Sequence, residues 1–174
     1  LRSDFGMWAE HFEFGCDASK YFIRPDVQRR GIAYYARPET PRRGFEIGMM
    51  ALEVFSRRRP DIELHLYGET LGHLPFACVN HGRVTAEQLN DIYNRCYAGL
   101  SLSLTNVSLV PHEMLAAGCI PVVNDAEQNR MVLANDHVVY VATINGPTLL
   151  SANPAIGQSG PLHCTATGKA ILAN

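Results

Sequence analysis

The chain has 174 residues, 47% of them hydrophobic and 18% charged, with a formal net charge of −2. That length can bury a real core, and the near-neutral balance excludes the electrostatic footprint of a nucleic-acid or anionic-membrane binder. Basic residues cluster only locally, at Arg29-Arg30, Arg42-Arg43 and Arg57-Arg58-Arg59.

In chain order, residues 1–31 hold Phe5, Trp8, Phe12, Phe14, Tyr21 and Phe22, too many aromatics for a floppy tail, and predict a docked, partly irregular segment. Ile32-Ala33-Tyr34-Tyr35 is a β-prone run ended by Pro38 and Pro41. Gly44 follows, and then Phe45, Gly48, Met49, Leu52 and Phe55 recur at helical spacing, predicting an amphipathic helix that ends near Pro60. Ile62 to Tyr67 reads as a strand closed by Gly68, residues 69–77 as a loop, and Ala77 to Asn80 as a short strand. Thr85 with Gln88 makes a capping-box start, and Leu89, Ile92, Tyr93 and Cys96 form the apolar stripe of a second helix. Gly99 to Leu104 is an expected strand, and Asn106 to Pro111 a turn. A short helix follows through Glu113 to Ala117, stopping at Gly118. Cys119 to Val123 is expected as a buried strand and Val138 to Val141 as another. This alternation predicts an α/β fold, a Rossmann-like parallel sheet flanked by helices. From about Ile144 glycines and prolines crowd together and the rhythm stops, which divides the chain into a domain at 1–142 and an irregular or α+β tail at 143–174.

The five cysteines, Cys16, Cys78, Cys96, Cys119 and Cys164, are widely spaced with no CxxC pair, so no metal site is expected. Cys96 and Cys119 read as small buried hydrophobes. No signal peptide is evident, and no apolar run approaches the roughly 20 residues of a membrane span. A reducing, cytoplasmic setting is expected, with peripheral membrane attachment open to a longer protein. The chain begins at Leu1 and stops at Asn174 without punctuation and reads as an excerpt.

In open parallel sheets ligands bind beyond the carboxyl ends of the strands, which brings two loops into play. In Ala36–Gly44, Arg37 at a strand end and Arg43 beside a helix start can face an anion, since helix N-termini favour negative charge and the guanidinium fork suits phosphate. Solvated arginines are the alternative. In Thr105–Glu113, Asn106 and Ser108 are good helix caps, and the backbone N–H groups of Val107, Ser108 and Leu109 can cradle a diphosphate. Glu113, a turn inside the helix, can accept hydrogen bonds from two ribose hydroxyls or simply complement the dipole. His65, His73 and His81 show no metal-ligand spacing, and no residue stands out as catalytic.

The runs IAYYARPETPRRGFEIGMMAL, ELHLYG and HGRVTAEQLNDIYNRCYAGLSLSLTNVSLVPHEMLAAGCIPVV resemble the C-terminal, nucleotide-sugar-binding domain of family 4-type GT-B glycosyltransferases, in the branch of polysaccharide rhamnosyltransferases. The likeness covers about residues 4–135 and is most specific from Tyr93 to Val123. It implies that Arg37 and Arg43, with Gly44, bind the donor diphosphate, and that Gly68 closes the next strand of the nucleotide site. It also implies that Asn106, Val107, Ser108 and Leu109 form the phosphate loop. Glu113 matches the second, ribose-binding glutamate of the family's E-x7-E motif. The first glutamate falls at Thr105, which departs from the motif and puts the usual sugar contact in doubt. Arg83 and Val84 lie where such enzymes hold the base. The implied partner is a dTDP- or UDP-linked nucleotide sugar as substrate, with no cofactor. The acceptor-binding N-terminal GT-B half, and any catalytic base it supplies, lie outside this sequence, so the chain alone is expected to bind donor weakly, transfer little or nothing, and expose an interdomain face open to self-association.

The tail, HVVYVATINGPTLLSANPAIGQSGPLHCTATGKAILA, resembles the start of an IclR-type effector-binding domain over about residues 137–173. That likeness makes a non-catalytic chimera the alternative function.

Overall fold

In the computed structural model of the chain, residues 2–8, 15–106, 108–126, 129, 137–139 and 159–161 are described. The elements are α1 (Arg2–Phe5), β1 (Gly31–Ala36), α2 (Phe45–Arg58), β2 (Glu63–Gly68), β3 (Val79–Asn80), α3 (Ala86–Arg95), β4 (Cys96–Ser101), α4 (Val110–Ala116), β5 (Ile120–Val123), β6 (His137–Val139) and β7 (Ser159–Pro161). Strands β1–β5 form one parallel sheet in the order β3-β2-β1-β4-β5, the Rossmann-like α/β fold expected.

β1 is central, paired with β2 from Gly31↔Glu63 to Ala36↔Gly68 and with β4 on its other side. A parallel strand covered on both faces must be apolar nearly throughout, and Ala33, Tyr34 and Ala36 are fully buried. On one face, Tyr34, Ala36, Leu64 and Leu66 pack against Leu52 of α2, with Phe45, Met49 and Phe55 around them, so the predicted apolar stripe of α2 is the one it buries. On the other, Ala33 and Tyr67 meet Ile92 and Tyr93 of α3 and Met114 of α4. The capping box of α3 forms both its bonds: Thr85 N donates to Gln88 Oε1 (2.9 Å) and Gln88 N to Thr85 Oγ1 (3.3 Å).

The strands β4, β5 and β6 differ from expectation, and the short α1 and β7 were not expected. β4 starts at Cys96, not Gly99, and ends at Ser101. α3 runs straight into it with Cys96 as the C-cap, because an apolar Cys96 serves the helix stripe and the strand's buried face alike. β5 is not a buried strand: Ile120 is 64% exposed and Pro121 to Val123 are half-buried, since β5 ends the sheet order and has a strand on one side only. β6 is not a further strand of the parallel sheet. It pairs antiparallel with β7, Val138 opposite Gly160, as a separate two-stranded sheet, a partner that sequence periodicity could not supply. The rest of the expected tail, Cys164 included, lies outside the described residues.

The segment before β1 is docked although irregular. Asn90 Oδ1 accepts from Phe22 N (3.1 Å) and Asn94 Oδ1 from Arg24 N (2.7 Å), while Asn94 Nδ2 donates to Phe22 O (2.9 Å). Two buried asparagines of α3 thus satisfy backbone groups that lack a strand partner. Arg29 donates to the carbonyls of Tyr93, Cys96 and Ala117 at 2.7–3.0 Å and so ties the C-terminal ends of α3 and α4 together. Phe5 and Trp8, in contrast, are 70% and 72% exposed, so the expected docking does not reach them; Phe12 and Phe14 lie outside the described residues. Among the described residues no helix is long and apolar enough to cross a membrane, and no group of three metal-ligating side chains is present.

α2 can approach β1 this closely only because Gly48 faces Tyr34: a Cβ there would lie 2.2 Å from the Tyr34 hydroxyl, which donates to Phe45 O at 3.2 Å. Helix propensity alone makes Gly48→Ala stabilising by about 1 kcal/mol, but overpacking against an immobile ring costs about 1–3 kcal/mol. Urea unfolding of Gly48→Ala is expected to show a net loss of stability.

Candidate functional site

The carboxyl ends of β1, β2 and β4 open toward one edge, and the strand order reverses between β1 and β4. This is the topological switch point at which open α/β sheets bind ligands. The two loops singled out in the sequence meet there. The loop after β1 turns through a short 3-10 segment, Pro41–Arg43, into Gly44, the N-cap of α2. Leu104 N donates to Arg42 O (2.8 Å), and Leu102 lies against Gly44, which stitches the loop after β4 to the loop after β1.

Tyr35 forms the floor of this edge. Its side chain points to the face opposite Tyr34, as successive residues of a strand must, and stacks on Tyr67 with ring centroids 5.3 Å apart. The guanidiniums of Arg37 and Arg43 stand 5.8 and 5.6 Å from its ring centroid, within cation–π range. Arg37 Nη1 also donates to the Tyr35 hydroxyl (3.1 Å). Two atoms of this pair lack hydrogen-bond partners although buried: Arg37 Nε and Arg43 Nη1. Arg37 Nε is 3.6 Å from Glu69 Oε1, a charge contact too long for a hydrogen bond. Burial is the main cause that lowers the pKa of Arg43. Tyr35 opposes it, and the neighbouring Arg42 and Arg37 cations add to it. A half-buried cation pair with unused donors is the arrangement that an anion would complete.

Gly68 closes β2 at φ 116°, and a Cβ there would sit 2.6 Å from Ala36 O, so only glycine lets the end of β2 lie this tightly against β1. Its N–H is taken by Gly82 O (2.8 Å), which draws the loop before α3 to the same edge. Arg83, in that loop, has an 82% exposed side chain whose fork meets both Glu69 oxygens at 3.2–3.3 Å. Val84 is half-buried against the core beneath α3.

After β4, Thr105, Asn106 and Leu109 are exposed and Ser108 is buried; Val107 lies outside the described residues. Neither Asn106 nor Ser108 caps α4. The N-cap is Leu109, without a side-chain cap bond, and Ser108 Oγ instead accepts from Val110 N at 3.4 Å. Pro111, with its fixed φ and missing N–H, suits only the first turn and so places the helix start at Val110, two residues past Ser108. Asn106 is held by its own loop, its carbonyl accepting from Ser103 Oγ.

Glu113 does not project freely. It is half-buried near Tyr21 and Tyr93, whose hydroxyls favour its charged form. Burial raises its pKa, and the two tyrosine hydroxyls pull the other way. The same burial, with Glu113 beside it, pushes Tyr21 up to about 12. Tyr93 in turn shares a 2.7 Å hydrogen bond with Tyr67, whose ring stacks on Tyr35, so a row of tyrosines leads from beside Glu113 to the floor under the arginines. The structure thus joins Arg37, Arg43, Gly44 and Gly68 directly, Arg83 through Glu69, and Glu113 by way of this row of tyrosines; Thr105 and Asn106 stay on the exposed rim.

Sequence reasoning missed Tyr35, Glu69, Tyr21 and Tyr93. Alternation along β1 could have placed Tyr35 on the face away from α2, but nothing local marked Glu69, Tyr21 or Tyr93. A groove of about 720 Å³ opens at the opposite edge of the strands, lined by Arg30, Ile32, Phe55, Ile62 and Tyr97. It lies at the amino ends of the strands, away from the switch point.

Comparison with known proteins gives two matches. Residues 30–152 match the model of the family described as "WsaF, C-terminal domain". The chain is also 31% identical over 139 residues to the "O-antigen biosynthesis protein RfbC" of Myxococcus xanthus, which covers 75% of this chain but only 11% of that protein.

The elevated Glu113 has a definite pH signature. A carboxyl whose folded-state pKa exceeds its unfolded one contributes stability below the unfolded pKa and loses it as pH rises through the folded pKa. Denaturant unfolding of wild type and Glu113→Gln across the acidic range is expected to show the difference moving in favour of the variant as pH rises from the ordinary glutamate pKa through the elevated one.

Proposed function

Because this chain belongs to the WsaF C-terminal domain family, and because two guanidinium atoms lie buried without hydrogen-bond partners at the switch point of its sheet, we propose that it binds the diphosphate of a nucleotide-sugar donor as one half of a glycosyltransferase in polysaccharide assembly. The relative named for O-antigen biosynthesis supports the polysaccharide setting. The observation that carries the reading is the pair Arg37 Nε and Arg43 Nη1 over Tyr35, since buried guanidinium donors left unused are costly unless something anionic takes them up.

In this reading the two arginines hold the diphosphate and stabilise the negative charge that grows on it as the sugar departs. Donors fixed before the reaction are the efficient way to do so. Side chains supply the positive charge, so the reading calls for no metal or other cofactor. The loop from Thr105 to Leu109 borders the phosphates, Arg83 and Val84 flank the base, and Glu113 accepts hydrogen bonds from the ribose hydroxyls. The resemblance to rhamnosyltransferases favours dTDP-rhamnose as donor, with UDP-sugars next. The acceptor is bound by a separate N-terminal half, so this chain alone is expected to bind donor and transfer little or nothing.

The reading is tested by titrating the folded chain with a panel of nucleoside diphosphates in a calorimeter. Saturable binding is expected. It should weaken roughly tenfold or more in Arg43→Ala, as charge-assisted hydrogen bonds contribute about 1.5–3 kcal/mol, and it should also weaken in Glu113→Ala. A folded chain that binds none of the nucleotides would sink the proposal.

A further inference from the structure

We infer that Glu69 is an internal competitor for the anion, a carboxylate that occupies Arg37 until a multiply charged phosphate displaces it; the inference rests on the donor-site reading above. Glu69 follows Gly68, whose tight contact with Ala36 fixes the end of β2 beside Arg37. The Glu69 side chain is only 20% exposed, and its Oε1 lies 3.6 Å from Arg37 Nε, the same atom that lacks a hydrogen-bond partner. The carboxylate is therefore close enough to neutralise Arg37 but does not satisfy it. Its better contacts are outward: Arg83, almost wholly exposed, grips both oxygens with its fork at 3.2–3.3 Å.

This geometry makes Glu69 displaceable. An entering phosphate has to share Arg37 with a like charge, and the two repel. Arg83 offers the carboxylate a place on the solvent side, so it can swing off Arg37 and remain paired. Glu69 thus weakens every anion at the site, and the anions best able to overcome it are those carrying several charges. Arg83 is a positioning residue for Glu69, distinct from any contact it makes to a base.

Inorganic pyrophosphate is the probe, because it has neither base nor sugar and leaves any base contact of Arg83 out of the comparison. Its affinity is measured by calorimetry for the whole chain as wild type, Glu69→Gln, Arg83→Ala, the double variant and Asp61→Asn. The last removes an equal charge at the opposite sheet edge. Each protein is first shown to melt cooperatively. Glu69→Gln is expected to bind pyrophosphate roughly five- to tenfold tighter, the effect of removing one like charge a few ångströms from a half-exposed site. Asp61→Asn should match wild type. Arg83→Ala should weaken binding while Glu69 is present and leave it unchanged in the Glu69→Gln background. Equal or weaker binding by Glu69→Gln, or the same gain in Asp61→Asn, overturns the inference and leaves the donor site standing. An equal loss from Arg83→Ala in both backgrounds also overturns it, because Arg83 then holds the anion itself. Failure of every form to bind pyrophosphate overturns the inference, while the donor-site reading stands or falls with the nucleotide titration.

Discussion

Two consecutive tyrosines on the central strand organise this protein. Strand geometry sends Tyr34 and Tyr35 to opposite faces of β1. Tyr34 is wholly buried against α2, where Gly48 makes room for its ring and Phe45 O accepts its hydroxyl proton. Tyr35 goes the other way, stacks on Tyr67, and carries Arg37 and Arg43 above it. A one-residue slip of β1 would exchange these faces, removing the fit of α2 and the floor of the site together. Packing on one side of the sheet therefore holds in register the residues that matter on the other.

The electrostatics of the C-terminal edge follow from how little water reaches it. Arg43 is half-buried and crowded by Arg37 and Arg42, and burial is the larger cause of its lowered pKa. The aromatic floor compensates in part through the ring face. Glu113, on the helix that follows β4, lies near Tyr21 and Tyr93, and a row of tyrosines from Tyr93 through Tyr67 to Tyr35 leads from there to the arginines. Tyr21 comes from the segment before β1, which is kept in place by Asn90 and Asn94 on the outer side of α3. Buried side-chain amides thus reach the site indirectly, by fixing the backbone that carries one of Glu113's partners.

The elements legible in the sequence were those whose signals are local. The stripe from Phe45 to Phe55 and the capping box at Thr85 predict helices that form as α2 and α3, because helical periodicity and a reciprocal cap need no distant residue. The β1 and β2 runs were equally plain, since inner parallel strands are mostly apolar and β2 departs only at Glu63 and His65. The start of β4 was misplaced because Cys96 fits both a helix stripe and a buried strand, and the cap of α4 because Pro111 outweighed the better capping chemistry of Asn106 and Ser108. Arg37 and Arg43 were visible as candidates, but spacing alone favours solvated arginines as the reading of the same letters.

The sequence by itself determined the order of helices and strands from β1 to β5, the parallel α/β class and the loops that end at the binding edge, because these follow from periodicity, caps and turn residues within a few positions of one another. Only the tertiary structure decided that Arg37 and Arg43 share one aromatic floor with donors left unpartnered, that Glu69 stands between Arg37 and Arg83, and that Tyr21 and Tyr93 come close enough to Glu113 to favour its charged form. Those contacts join residues up to 92 positions apart, as Tyr21 and Glu113 are, and charge pairing or burial across such separations depends on which strands become neighbours. No local pattern encodes that adjacency; the packing of the whole sheet does.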